Sequence, residues 1–124
     1  MAGLVLVCVT GQRTCEALIL EGARIAAEEG ASMSVLHVVK PGAAPLGSQK
    51  EGDALEYLFR IASEHDAGMS MIRSDDVAET IVKQVEKLGA NILVMGRTTG
   101  MKERRVTAIL AERAPGVRVQ LVYE

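Results

Sequence analysis

The chain is poor in aromatic side chains, and this scarcity argues against several classes of function. Only 2% of its 124 residues are aromatic, with no tryptophan, one phenylalanine and two tyrosines. A single-stranded nucleic acid would therefore find no set of rings on which to stack its bases. The formal net charge of −2 argues against nucleic acid as a general partner too, since phosphate backbones favour a strongly basic face.

Cysteine and long apolar runs are also scarce. Cys8 and Cys15 are too few for a disulfide framework, and their spacing from His37 and His65 matches no zinc pattern, so we predict no metal site. No apolar run approaches the ~20 residues that span a bilayer. The first residues lack the charged segment and the cleavage site of a signal peptide. We therefore expect a cytoplasmic protein with no membrane partner.

Apolar, β-branched runs alternate with helical patterns along the whole chain. Strands are predicted at residues 4–9, 33–39, 68–72, 91–95 and 117–123. Helices are predicted at about 14–29, 49–64, 76–88 and 106–114. Strands that alternate with helices form a parallel sheet covered on both faces, so the pattern predicts a single α/β domain of three layers.

Several side chains have predicted places in these elements. Gly22 is expected to let the first helix lie close to the sheet, and His37 to be a core-edge histidine bonded to backbone. Asp76 should cap the third helix, with Glu79 three residues later in a capping box. Inward-facing side chains are expected on the second and third helices: Leu55, Leu58, Phe59 and Ala62 on the second, and Val77, Ile81, Val85 and Leu88 on the third.

The loop after the fourth strand is the most informative stretch of the chain. It holds two glycines, two threonines and an arginine, and further basic residues follow. At the carboxyl end of a parallel strand, such a loop offers backbone donors, hydroxyls and positive charge to an anion. The alternative is a tight turn with solvated basic residues. The candidate anion-binding residues are Met95, Gly96, Arg97, Thr98, Thr99, Gly100, Arg104 and Arg105.

A second polar loop follows the first strand. Thr10, Gly11 and Gln12 could hydrogen-bond the edge of an adenine or a ribose, or they could cap the first helix.

Four segments in this order and spacing resemble the universal stress protein family. They read LVCVTG at 6–11, VLHV at 35–38, DDVAETI at 75–81 and ILVMGR at 92–97. The short chain, the cysteine in strand one and the segment at 75–79 look most similar to the stress-protein-like module of bacterial potassium-sensing histidine kinases.

The resemblance implies a Rossmann-like fold, similar to the adenine nucleotide alpha hydrolases, with five parallel strands in the order 3-2-1-4-5. In such a sheet the ligand crevice lies beyond the carboxyl ends of strands one and four. The expected ligand is ATP or AMP with Mg²⁺, and Val38 joins the candidate residues because the family places ligand-lining residues at the end of strand two.

The resemblance also implies a homodimer through the last strand. This strand is an edge of high β-propensity, and an unpaired edge invites pairing with another chain. The candidate interface residues are Val117, Val119, Leu121 and Tyr123.

The chain departs from the pattern of the ATP-binding members, which carry Gly-x2-Gly-x9-Gly-Ser/Thr after strand four and an aspartate after strand one. Here Gly96 is followed by Gly100, no Gly-Ser or Gly-Thr pair comes after it, and Thr10 replaces the aspartate. We therefore favour a small homodimeric stress-response or regulatory protein that acts as a sensor or interaction module without strong ATP binding, and in which any nucleotide is a weakly bound effector and not a substrate. The alternatives are a nucleotide-binding protein with slow ATP hydrolysis, and a sensor module of a membrane kinase whose chain runs on past Glu124.

Overall fold

The computed structural model describes residues 3–9, 15–39, 59–65, 67–96 and 101–122. Strands and helices alternate through these residues as the sequence predicts. The strands are β1 (Leu4–Val9), β2 (Ser32–Val39), β3 (Gly68–Arg73), β4 (Ile92–Gly96) and β5 (Arg118–Val122). The helices are α1 (Cys15–Glu29), α2 (59–64), α3 (Val77–Leu88) and α4 (Met101–Arg113).

The five strands form one parallel sheet in the order β3-β2-β1-β4-β5. This is the predicted order, and it makes β1 the central strand. Residues Val5 to Val9 of β1 are all buried. A strand buried on both faces needs apolar side chains at consecutive positions, which is why β1 has no polar alternation.

Alternate residues of β1 belong to two different cores. Val5, Val7 and Val9 pack with residues of α1 and α2 on one face, whereas Leu6 and Cys8 pack with residues of α3 and α4 on the other. This follows from the period of two along a strand. The result is the predicted three-layer domain, with helices on both faces of the sheet.

Gly22 places α1 directly on the sheet, as predicted. A Cβ atom at this position would lie 2.3 Å from Cγ2 of Val7 and 3.0 Å from Sδ of Met33. Both neighbours are buried, so neither can move aside without disturbing the core. The absence of a side chain at Gly22 therefore sets the distance between α1 and β1.

Helix α4 begins earlier than predicted. It starts at Met101 and not at Val106. The prediction began at the first apolar residue of the stripe, but the preceding turn is composed of long charged side chains that are good helix formers and leave no apolar period.

Two predicted core positions on the helices are wrong. Phe59 is 56% exposed, whereas Ile61 is buried and points about 200° around the helix from it. Leu88 is 42% exposed. It is the last residue of α3, next to Gly89, whose φ of 67° ends the helix. Leu55 and Leu58 lie outside the described residues.

We expect Gly22→Ala to lower the free energy of unfolding by about 1–2 kcal/mol, since overpacking outweighs the gain in helix propensity. Chemical denaturation monitored by circular dichroism measures the change. Gly68→Ala is the matched control because a Cβ there meets nothing within 4 Å. An unfolding free energy that rises in Gly22→Ala would contradict the close approach of α1 to the sheet.

Candidate functional site

The topology places the ends of β1 and β4 side by side. Cys8 lies opposite Met95 in the sheet, so Val9 and Gly96 end their strands at the same level. From β1 the chain continues to α1 on one face, and from β4 it continues to α4 on the other. This divergence is the topological switch point of a doubly wound sheet, where ligands bind in such folds.

The structure describes some of the predicted site residues. Val38 and Met95 are buried side chains of the core under α3 and α4, and Gly96 is the last residue of β4. Arg104 and Arg105 are exposed on α4. The others lie outside the described residues, and their roles stay predictions: Thr10, Gly11, Gln12, Arg97, Thr98, Thr99 and Gly100.

Arg105 makes an ion pair that sequence reasoning missed. Its Nη1 and Nη2 atoms donate to Oδ1 and Oδ2 of Asp76 at 2.7 and 2.9 Å. A guanidinium binds a carboxylate best in this two-bond arrangement. The sequence suggested Arg105 as a counter-charge for phosphate, whereas in the structure its charge already has a carboxylate partner.

Asp76 serves α3 and α4 at once. Its Oδ1 accepts a hydrogen bond of 3.1 Å from the backbone N–H of Glu79, which confirms the predicted N-cap. The second half of the capping box is not formed: the N–H of Asp76 donates to Oγ of Ser74 at 3.1 Å, and the Glu79 carboxylate instead accepts from Arg113.

These bonds change the acidity of Asp76. The hydrogen bonds from the Arg105 guanidinium hold the pKa of the Asp76 carboxyl below its ordinary value, and the N–H of Glu79 lowers this pKa further. Both contacts favour the ionised carboxylate. The Asp76 carboxyl therefore stays ionised to a lower pH than an ordinary aspartate does.

Arg113 makes a second link between the two helices. Its guanidinium donates to the carboxylates of Glu79 and Glu86, which lie about two turns apart on α3. Together with the pair of Asp76 and Arg105, this link holds α4 against α3. The segment 97–100 therefore joins the end of β4 to a helix that is fixed by charge as well as by packing.

His37 occupies the predicted place at the edge of the core. Its side chain is 1% exposed, and Nδ1 lies 2.9 Å from the carbonyl oxygen of Val9. The carbonyl can only accept, so Nδ1 is assigned the hydrogen. The imidazole thus satisfies the last carbonyl of β1, immediately before Thr10 in the chain.

Part of the candidate dimer interface on β5 and just before it packs against the core of its own chain. Val117, Val119 and Leu121 are half-buried and pack against the core under α3 and α4, and Tyr123 lies outside the described residues. On the opposite face, a shallow cavity of about 540 Å³ between α1 and β5 is lined by Ala17, Leu20, Glu21, Arg24, Leu121 and Val122.

The described residues offer neither a cluster of metal-binding side chains nor a helix that could span a membrane. They contain no group of three or more histidine, cysteine, aspartate or glutamate side chains that could hold a metal ion. They also contain no helix with the length and apolar character needed to cross a membrane.

The sheet order and the two helical layers define a Rossmann-like α/β domain whose switch point lies between β1 and β4. The profile of the universal stress protein family matches residues 1–115, and the chain belongs to this family. No curated protein sequence matches the chain significantly.

Three solved structures illustrate the likeness of fold. A protein of the universal stress protein family from Burkholderia pseudomallei is 19% identical with a TM-score of 0.69, covering 97% of this chain and 95% of that one. A universal stress protein in complex with cAMP is 18% identical with a TM-score of 0.70, covering 98% and 97%. The universal stress protein from Archaeoglobus fulgidus in complex with dAMP is 16% identical with a TM-score of 0.65, covering 98% and 97%.

The lowered pKa of Asp76 predicts a pH-dependent contribution to stability. A carboxyl group whose pKa is lower in the folded state stabilises the protein above its unfolded pKa of about 3.9, and this contribution is lost as the pH falls through the folded pKa. We expect Asp76→Asn to melt below the wild type at pH 7, and the difference to shrink below about pH 4. Thermal denaturation across this range measures the difference.

Asp75→Asn is the matched control for this measurement. It removes the same charge from the neighbouring position, where no described residue forms an ion pair with Asp75. A difference between wild type and Asp76→Asn that stays constant down to the lowest pH would show that the charge of Asp76 is not its source.

Proposed function

We propose that this protein is a cytoplasmic, homodimeric regulatory module of the universal stress type that binds an adenine nucleotide weakly, as an effector. The observation that carries the proposal is the pair of strand ends at the switch point, Val9 and Gly96, which lie at one level of the sheet. In the sequence, segments that contain glycine and threonine follow both ends. An effector held between them would contact both halves of the sheet.

Two of the structurally similar proteins support an adenine nucleotide as the ligand. One is a universal stress protein in complex with cAMP, and the other is the Archaeoglobus fulgidus protein in complex with dAMP. The fold that they share with this chain has its crevice at the same strand ends. The transfer of their ligand class to this chain is part of the proposal.

The charges around the crevice favour weak binding. Arg105 has a carboxylate partner in Asp76, so a phosphate that approaches this guanidinium must compete with Asp76. Thr10 stands in place of the family's aspartate, and no Gly-Ser or Gly-Thr pair follows Gly100. The chain thus lacks part of the pattern by which ATP-binding members hold the nucleotide.

The early start of α4 favours a second candidate function, nucleotide binding with slow hydrolysis of ATP. Because α4 begins at Met101, its first backbone N–H groups follow the Gly96–Gly100 loop directly. Such groups carry partial positive charge and attract phosphate. Thr98, Thr99 and the neighbouring arginines would then hold the phosphates with Mg²⁺. The proposed likeness to modules of potassium-sensing kinases is compatible with either function.

Calorimetric titration with AMP, and with ATP in the presence of Mg²⁺, tests the proposal. We expect weak, saturable binding that Arg97→Ala abolishes, since this substitution removes the cation of the loop. Release of phosphate in the same sample would support the second candidate. No heat up to millimolar nucleotide would exclude both nucleotide functions and leave a protein-interaction module.

Asp76→Asn and Glu79→Gln form a matched pair for this titration. Each replaces one carboxylate of α3 by its amide, and asparagine still caps the helix. Of these two carboxylates, Asp76 bonds Arg105 and Glu79 bonds Arg113. We expect Asp76→Asn to bind ATP up to about fivefold more tightly, and Glu79→Gln to bind it as the wild type does. Equal effects of the two substitutions would show that net charge alone changes the affinity.

The proposed dimer uses β5, the outermost strand of the described sheet on this side. Leu20 and Leu121 both line the cavity beside β5. Leu20 is 47% exposed, and Leu121 belongs to the candidate interface. A partner strand placed along β5 would bring apolar side chains over this cavity and remove Leu20 from water. The proposal therefore extends the interface from the strand onto α1.

Leu20→Glu should weaken this dimer, because a carboxylate would have to leave water when the interface forms. Leu88→Glu is the control, since Leu88 is a similarly exposed helical leucine on the opposite layer. We expect light scattering to give twice the chain mass for the wild type and Leu88→Glu, and a shift toward the single chain mass for Leu20→Glu. A wild type that is monomeric at all concentrations contradicts the proposed dimer.

A further inference from the structure

The Nε2 atom of His37 has a property that the fold itself does not explain. Among the described residues, it is the single buried side-chain nitrogen or oxygen without a hydrogen-bond partner. Native structures satisfy nearly all such groups, because a buried polar atom without a partner is costly. An atom of this kind calls for a partner from outside the described fold.

The contact on the other side of the ring defines the chemistry of Nε2. Nδ1 donates to the carbonyl of Val9 at 2.9 Å, so Nε2 of the neutral ring carries a lone pair and acts as an acceptor. In this neutral form the missing partner is an N–H or O–H donor, and a phosphate oxygen, which only accepts, does not fit.

His37 lies at the edge of the sheet where ligands bind in this fold. It is in register with Val9 on one side and Met71 on the other, and Val9 lies at the level of Gly96. The bond to the Val9 carbonyl joins the imidazole to the residue that precedes Thr10. The His37 ring therefore lies against the last carbonyl of β1, at the level of the strand ends that border the proposed nucleotide crevice.

We propose that Nε2 of His37 accepts a hydrogen bond from the bound nucleotide, either from an amino group of its base or from a hydroxyl of its sugar. This inference rests on the proposed function, since it requires a nucleotide at the switch point. His37 would then favour ligands that carry an N–H or O–H group at this position. The two ring nitrogens would have separate roles, because Nδ1 bonds the Val9 carbonyl of β1 and Nε2 bonds the ligand.

Nitrogen NMR of protein labelled at histidine tests the inference in the intact chain. The sequence has two histidines, and His65 is exposed after α2, so it serves as an internal reference. On titration with AMP we expect the Nε2 resonance of His37 to move as for an acceptor that gains a donor, and His65 to stay unchanged. Inorganic phosphate should leave both signals in place.

Two analogues of AMP identify the donor. One carries hydrogen in place of the amino group of the base, and the other lacks the sugar hydroxyls. The shift of His37 should disappear with the analogue that lacks the donor. If AMP binds by calorimetry and the His37 signal does not move, the inference is overturned while the proposed function stands. If AMP does not bind at all, both are overturned.

His37→Asn separates the two contacts of the ring. The asparagine amide can donate to the Val9 carbonyl from the position of Nδ1, but it places no acceptor where Nε2 lies. We expect this variant to bind AMP about three- to tenfold more weakly and to lose the preference for AMP over the analogue that lacks the donor. His65→Gln should bind as the wild type does. An equal loss of affinity for AMP and for that analogue would show that His37 has only a structural role.

Discussion

Burial of β1 on both faces is the constraint on which the rest of the structure depends. Its side chains from Val5 to Val9 are withdrawn from water, so helices must cover both faces and neighbouring strands must satisfy the backbone on both edges. β2 and β4 satisfy the backbone on the two edges of β1, and His37 satisfies its last carbonyl. Gly22 brings α1 close enough to cover one face of the strand. The crevice of the candidate site is a consequence of this arrangement.

The carboxyl edge of the sheet holds contacts that stabilise the fold, and it is also the place of the proposed binding site. Helices α3 and α4 both begin there, and each new helix presents backbone N–H groups that attract negative charge. Asp76 supplies this charge to α3 and at the same time engages Arg105 of α4. The same ion pair that fastens the helices therefore reduces the positive charge open to a phosphate. A phosphate bound at this edge would have to compete with Asp76 for Arg105, whereas in a site that served a nucleotide alone the arginine would have no carboxylate partner.

Residue patterns predicted most of the fold because strands and helices have different periods. The unbroken apolar run of β1 and the stripe of α3 from Val77 to Val85 are local signals, and the structure confirms them. The predicted start of α4 and the predicted burial of Phe59 were wrong, because the residue pattern at these positions does not indicate the structure. The polar first turn of α4 and the exposed Phe59 carry no period that separates them from a loop or from a core position.

The candidate site was predictable in part, for a related reason. The sequence by itself determined the kinds of residue at the switch point, including Gly96 and the basic residues that follow it, because these belong to single segments of chain. Only the tertiary structure decided the partners of Arg105 and His37. Asp76 and Arg105 stand 29 positions apart, and Val9 and His37 stand 28 apart. Contacts over such separations depend on how the elements pack, and a linear pattern of residues does not record this packing.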